Sequence, residues 1–145
     1  MNWEKLKHQQ YYDQPIQHIC AHGIFDTNEY DRLYENQNNL DHQVWKQFGE
    51  KYKINFAFRE SFSEIDFSKD IMCLWFFKER SDGTSAYVQL NGKQITYSAN
   101  TFLITKSKDI LFVHTKRKYI RSPLLQLDMR EETYNDILKR VNKIT

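Results

Sequence analysis

Two short stretches hold the residue types best able to do chemistry. Lys116-Arg117-Lys118-Tyr119-Ile120-Arg121 groups cations around an aromatic ring. Lys and Arg neutralise phosphates and a Tyr ring stacks on a base, so the pattern suits nucleic acid. On a strand, Arg117, Tyr119 and Arg121 share one face, and Lys116 and Lys118 share the other. Arg117, Tyr119 and Arg121 are therefore the expected DNA-facing set, with Lys116 and Lys118 as secondary contacts. The bland alternative is an edge strand guarded by charge against aggregation. The second stretch is His18-Ile19-Cys20-Ala21-His22. On a helix, His18 and His22 share a face at i, i+4 and suit Zn²⁺. No further ligand pair at zinc-site spacing follows, and His42 and His114 are isolated, so a tetrahedral site lacks its remaining ligands. The chain has no Gly-rich phosphate loop, G-x-S-x-G elbow or Rossmann fingerprint, which disfavours nucleotide-cofactor enzymes and common hydrolases.

The elements that must position these residues follow from periodicity. Residues 3–12 read as a first helix, with Trp3, Leu6 and Tyr11 at loosely helical spacing. Asp13 ahead of Gln14-Pro15 reads as the N-cap of a second helix, with Ile16, Ile19 and Cys20 as its stripe and Gly23 as its stop. Residues 26–40 are amide-rich and read as a loop with one helical turn around Glu29–Glu35. From Lys53 to Arg59 the chain alternates, with Ile54, Phe56 and Phe58 on one face and Lys53, Asn55, Ala57 and Arg59 on the other. The apolar run at 71–79 belongs in the centre of a sheet. Asn91-Gly92 is the strongest hairpin signal. It is preceded by a strand at 84–90 and followed by strand or short helix at 93–99. Thr101–Thr105, Ile110–His114 and Lys118–Arg121 are further strands, and a terminal helix opens at Arg130/Glu131 with Tyr134, Ile137, Leu138 and Val141 in its stripe.

The stretch Leu40-Asp41 … Ile54-Asn55-Phe56-Ala57-Phe58 resembles the layout of the PD-(D/E)XK nucleases. In that pattern an Asp begins one strand of a hairpin and an acid-x-Lys triplet sits on the next. The resemblance extends as an order of elements through Leu74-Trp75-Phe76-Phe77, Ala99–Ile104, Ile110–Val113 and Tyr119–Leu125. It implies a restriction-endonuclease-like fold and a Mg²⁺- or Mn²⁺-dependent DNA endonuclease. Asp41 and Asn55 would be metal ligands, and double-stranded DNA the substrate of a possible homodimer. It also implies a phage or mobile-element origin. Asn55 replaces the acid and Ala57 replaces the Lys. A neutral amide binds Mg²⁺ more weakly, and a methyl group moves no proton. Three readings follow: an engineered inactivation, a Lys that has migrated to Lys53 or Lys78, or a nuclease-like fold that no longer cuts. Glu4 or Glu35 is a candidate for a further carboxylate. The competing class is a non-catalytic nucleic-acid- or protein-binding module on the same scaffold.

Composition supports one α+β domain over residues 1–145. The expected arrangement is a central mixed or antiparallel sheet flanked by N-terminal helices and one C-terminal helix. With 145 residues there is no room for a second full core. Aromatics make up 15% of the chain, which excludes a disordered chain, and Gly 4 and Pro 2 exclude collagen-like classes. A net charge of +2 leaves any basic footprint local. Abundant Asn, Gln, Lys, Tyr and Ile with little Ala suggest an AT-rich genome. Cys20 and Cys73 sit far apart in apolar surroundings and read as reduced thiols of a cytoplasmic protein. The amino terminus lacks the apolar core of a signal peptide, and the longest apolar run is too short to span a bilayer.

Overall fold

The structure, a computed structural model, describes residues 3–77, 86–96, 99–114 and 123–143. Short 3₁₀ turns at Trp3–Lys5 and His8–Gln10 lead into strands β1 (Tyr11–Tyr12) and β2 (His18–His22). Helices α1 (Thr27–Glu35) and α2 (Gln43–Tyr52) follow, then β3 (Phe56–Arg59), a 3₁₀ turn at Phe62–Glu64 and β4 (Met72–Phe76). The rest is β5 (Ala86–Leu90), β6 (Lys93–Thr96), β7 (Thr101–Thr105), β8 (Ile110–His114), β9 (Leu124–Leu127) and α3 (Glu131–Lys143).

The strands form a six-stranded sheet in the order β1-β2-β7-β4-β9-β3 and a three-stranded sheet in the order β6-β5-β8. Every pairing among the described strands is antiparallel. The chain crosses repeatedly between the sheets, from β4 to β5, β6 to β7, β7 to β8 and β8 to β9. This is the winding of a jelly-roll sandwich. No helix among the described residues is long and apolar enough to cross a membrane.

The apolar pattern explains the layering. Strand β4 is buried on both faces, which is why its sequence is continuously apolar. Cys73 and Trp75 point to one side, with Phe102, Ile104, Leu125 and Leu127 of the neighbouring strands. All three helices cover that side, through Tyr30 and Leu33, Val44, Trp45 and Phe48, and Tyr134, Ile137 and Val141. Met72, Leu74, Phe76, Leu103 and Leu124 point to the other side, where Val88, Leu90 and Ile110 of the small sheet meet them. Asn91 and Gly92 both have positive φ (50° and 82°), as a two-residue type I′ turn requires.

The α+β class holds, but the N-terminal helices do not. Residues 3–12 are 3₁₀ turns and strand β1, and the segment expected as a second helix is β2. The cause is tertiary. Ile19 and Ala21 alternate with His18 and Cys20, and β2 pairs along its whole length with β7. Burial against that neighbour outweighs a weak helical stripe. Conversely, the amide-rich region carries a full helix. Asp26 caps α1 by accepting from the Glu29 N–H at 2.8 Å, and Tyr30 and Leu33 are its buried stripe. The expected strand at Lys118–Arg121 lies outside the described residues.

Candidate functional site

The site is built where α2 ends. Lys53 adopts the left-handed conformation (φ 53°, ψ 46°), and the Lys53 and Ile54 N–H groups donate back to Glu50 O and Gly49 O. This left-handed cap reverses the chain sharply. Phe56 then lies over Gly49, where an added Cβ would stand 3.2 Å from the Phe56 ring, a tight contact that the ring would have to yield to slightly. The alternation expected beyond this point is present. Ile54, Phe56 and Phe58 pack on the helix-side core. Lys53 is a helix cap rather than part of the strand.

Asn55 O accepts from the Asp128 N–H at 2.9 Å, which draws the β9–α3 connection alongside. Trp3 from the first 3₁₀ turn and Thr133 from the first turn of α3 complete a groove of about 330 Å³ that also contains Tyr52, Lys53, Asn55 and Arg130. Trp3 is half-buried and meets Phe102 in a T-shaped contact with centroids 6.1 Å apart. The Tyr52 hydroxyl donates to Glu29, which also pairs with Lys51. Burial, and then the hydrogen bond to Glu29, pushes the Tyr52 hydroxyl up to about 12, so it is a donor and not a base. The hydrogen bond to Glu29 likewise raises Lys51.

Charge in this region is unevenly matched. Asp128 pairs with Lys69 (3.3 Å), Glu50 with Lys46 (3.9 Å), and Glu131 with Lys106. Among the described residues no acid pairs with Lys53 or Arg130, and both are exposed. The groove therefore presents Lys53 and Arg130, neither of them ion-paired, beside aromatic rings and one amide, together with the Asp128 carboxylate that pairs with Lys69.

The expected metal site is not assembled. Asp41 does not begin a strand. It is an exposed turn residue ahead of α2, whose N-cap is His42, with Nδ1 accepting from the Val44 N–H at 3.1 Å. Asp41 precedes the N-cap of α2 and Asn55 follows its C-cap, so the two stand at opposite ends of the helix. Ligands to one hard cation must all lie within about 2.6 Å of it. Ala57 pairs in register with Gln126, and its side chain shares the inter-sheet face with that buried amide. One carboxylate, one distant amide and a methyl group do not fit a divalent ion. Among the described residues no three His, Cys, Asp or Glu side chains gather as a metal-holding group. Glu4 lies in the turn that carries Trp3, and Glu35 ends α1. Lys78 and the whole predicted DNA-facing set, Arg117, Tyr119, Arg121, Lys116 and Lys118, lie outside the described residues.

The zinc pair also separates. On a strand, His18 and His22 are about 13 Å apart at 3.3 Å per residue, too far to share an ion. His18 is buried, its Nδ1–H donates to Ile16 O at 2.7 Å, and its ring stacks on Tyr12 at 5.1 Å. Both cysteines are free thiols, and burial raises Cys73 and Cys20 above their ordinary range. Trp3 and Arg130 escape a local reading because their partners at Lys53 and Asn55 are far away in sequence.

Burial lowers the His18 imidazole below 6.5, against the smaller opposing effect of the Ile16 carbonyl. The unfolded chain therefore binds the proton first. Stability is full above about pH 6.5 and declines as pH falls from there toward the lowered folded value. Thermal melts between pH 7.5 and 5 are expected to show this decline, and His18→Gln to remove its share. An identical pH slope in both proteins would exclude His18 as the source.

Comparison with protein-family models, curated proteins and solved structures returns no significant match for this chain.

Proposed function

We propose that this chain is a non-catalytic nucleic-acid-binding module whose contact surface is the groove at Lys53 and Arg130. The observation that carries the reading is the pair of cations, neither ion-paired among the described residues, flanking Trp3 and Tyr52 in one concavity. Cations release counterions from phosphates, ring faces shield bases from water, and an amide both donates and accepts. The sequence adds further cations at Lys116, Arg117, Lys118 and Arg121.

Fluorescence anisotropy with labelled DNA across a salt series tests the reading. If Lys53 and Arg130 each meet one phosphate, the Lys53→Ala/Arg130→Ala variant flattens the log-affinity against log-salt slope by about 1.4 to 1.8. An unchanged slope in a folded double variant rejects the groove as the contact surface. The competing endonuclease reading is measured with plasmid DNA and Mg²⁺ or Mn²⁺. No cleavage is expected from the chain, nor from Asn55→Asp combined with Ala57→Lys, because position 57 faces Gln126 between the sheets. Efficient divalent-dependent cutting by either protein would favour the endonuclease.

A further inference from the structure

The positive charge at the groove is local. On one side the surface continues into a concavity between residues 68–71 and the start of α3, where Asp70, Asp128 and Glu131 face Lys69 and Arg130. On the other it opens along α2, where Lys46 pairs with Glu50. Lys69 pairs with Asp128. Among the described residues lining these surfaces, the cations left outside ion pairs are Lys53 and Arg130, and both line the groove of about 330 Å³. That volume lies at the lower end of the range for small-molecule sites.

A polyanion laid along the whole surface would meet acids at both ends. A compact ligand with its negative charge gathered in one group would not. Two cations match a doubly charged group, and a phosphate monoester carries about −1.5 to −2 at neutral pH, against the single charge of a phosphodiester within a strand. Trp3 is half-buried and offers ring surface on which a base can stack. The exposed Asn55 amide both donates and accepts. Asp128 accepts from sugar hydroxyls or base N–H groups, and its charge disfavours a second phosphate beside the first. We propose that the groove binds one nucleotide bearing a terminal monophosphate, with the phosphate held by Lys53 and Arg130 and the base against Trp3. The inference rests on the nucleic-acid reading above and names the unit recognised. A phosphorylated strand end and a free mononucleotide share this chemistry.

The test uses the full chain and internally labelled oligothymidines that end in a 5′-phosphate, a 3′-phosphate or hydroxyls alone. Thymidine monophosphate and thymidine serve as unlabelled competitors. One phosphorylated form is expected to bind at least about tenfold more tightly than the hydroxyl form, the scale of one charge-assisted hydrogen bond. Thymidine monophosphate should compete where thymidine does not. Trp3→Ala should weaken binding about tenfold, and Trp3→Tyr should restore most of it. Because Trp3 also touches Phe102, a second variant keeps the test independent of folding. Arg130→Gln changes an exposed side chain and should lower the affinity of the phosphorylated form far more than that of the hydroxyl form. If all three forms bind alike and all depend on Lys53 and Arg130, the nucleic-acid reading stands and the terminal-phosphate inference is overturned. If the phosphate preference survives both Arg130→Gln and Lys53→Gln, the groove is overturned as its site. If thymidine monophosphate binds and no oligothymidine does, the nucleotide site stands and the nucleic-acid reading falls. If nothing binds, both fall.

Discussion

Trp75→Ala is expected to cost about 4 kcal/mol, a large share of the roughly 5–15 kcal/mol that keeps a domain folded. Trp75 is fully buried on β4, at the centre of the helix-side core. Its ring lies parallel to Phe102 (5.5 Å, 7°), near-parallel to Phe48 (5.7 Å, 25°), tilted on Phe25 (4.4 Å) and perpendicular to Phe77 (5.0 Å). Truncation removes all of these contacts and opens a cavity that the surrounding strands cannot close. It also strips Asn100 of a partner, since Trp75 Nε1 donates to Asn100 Oδ1 at 2.7 Å. Asn100 is itself buried with φ 59°, and it donates to Phe25 O and Phe76 O while its own carbonyl accepts from the Gly23 N–H. Trp75→Phe separates the two effects. It keeps most of the packing and loses the N–H, so its cost should fall to about 1–3 kcal/mol. Denaturant titration by far-ultraviolet circular dichroism measures both. A Trp75→Ala midpoint equal to that of the unsubstituted chain would contradict the layered core described above.

The sequence is most legible where burial writes a local pattern. The run through Met72–Phe76 announces a strand covered on both faces, and the alternation of Phe56 and Phe58 announces the edge strand of the same sheet, beyond β9. Asn91-Gly92 fixes a hairpin, and Tyr134, Ile137 and Val141 fix the last helix, because each signal needs only neighbours a few residues away. The N-terminal region is illegible for the opposite reason. His18–His22 becomes a strand only because Thr101–Thr105 pairs with it, and no local pattern carries that information. Around α2, Val44, Trp45 and Phe48 are at helical spacing. They form a helix that starts just after Asp41, which therefore cannot begin the strand that the nuclease pattern needs. Lys53 and Asn55 are part of the candidate site, but through a left-handed cap and a backbone hydrogen bond to Asp128 rather than through metal ligation. Arg130 and Trp3 arrive there by tertiary folding alone.

Gln126→Ala is expected to cost about 2–4 kcal/mol although it deletes only a small polar side chain. Gln126 is 3% exposed on β9 and faces the space between the two sheets. Its Oε1 accepts from the Asp66 N–H at 2.9 Å and from Arg59 Nε at 3.2 Å, and its Nε2 donates to Asp66 O at 2.8 Å. One amide thus satisfies both backbone groups of Asp66 and fastens the irregular segment before β4, with Ile65 at its buried end, to the large sheet. Removing it leaves the Asp66 N–H and C=O part-buried without partners, at about 1–3 kcal/mol for each orphaned group before solvent relieves some of the loss. Gln126→Leu discriminates hydrogen bonding from volume. Leucine refills the space but satisfies neither group, so it should recover little of the loss. Full recovery with leucine would show that packing, not the amide, holds the segment. Amide hydrogen exchange gives the local readout. The Asp66 N–H should exchange much faster in both variants, while amides of the β4–β7 pairing change only as far as global stability falls.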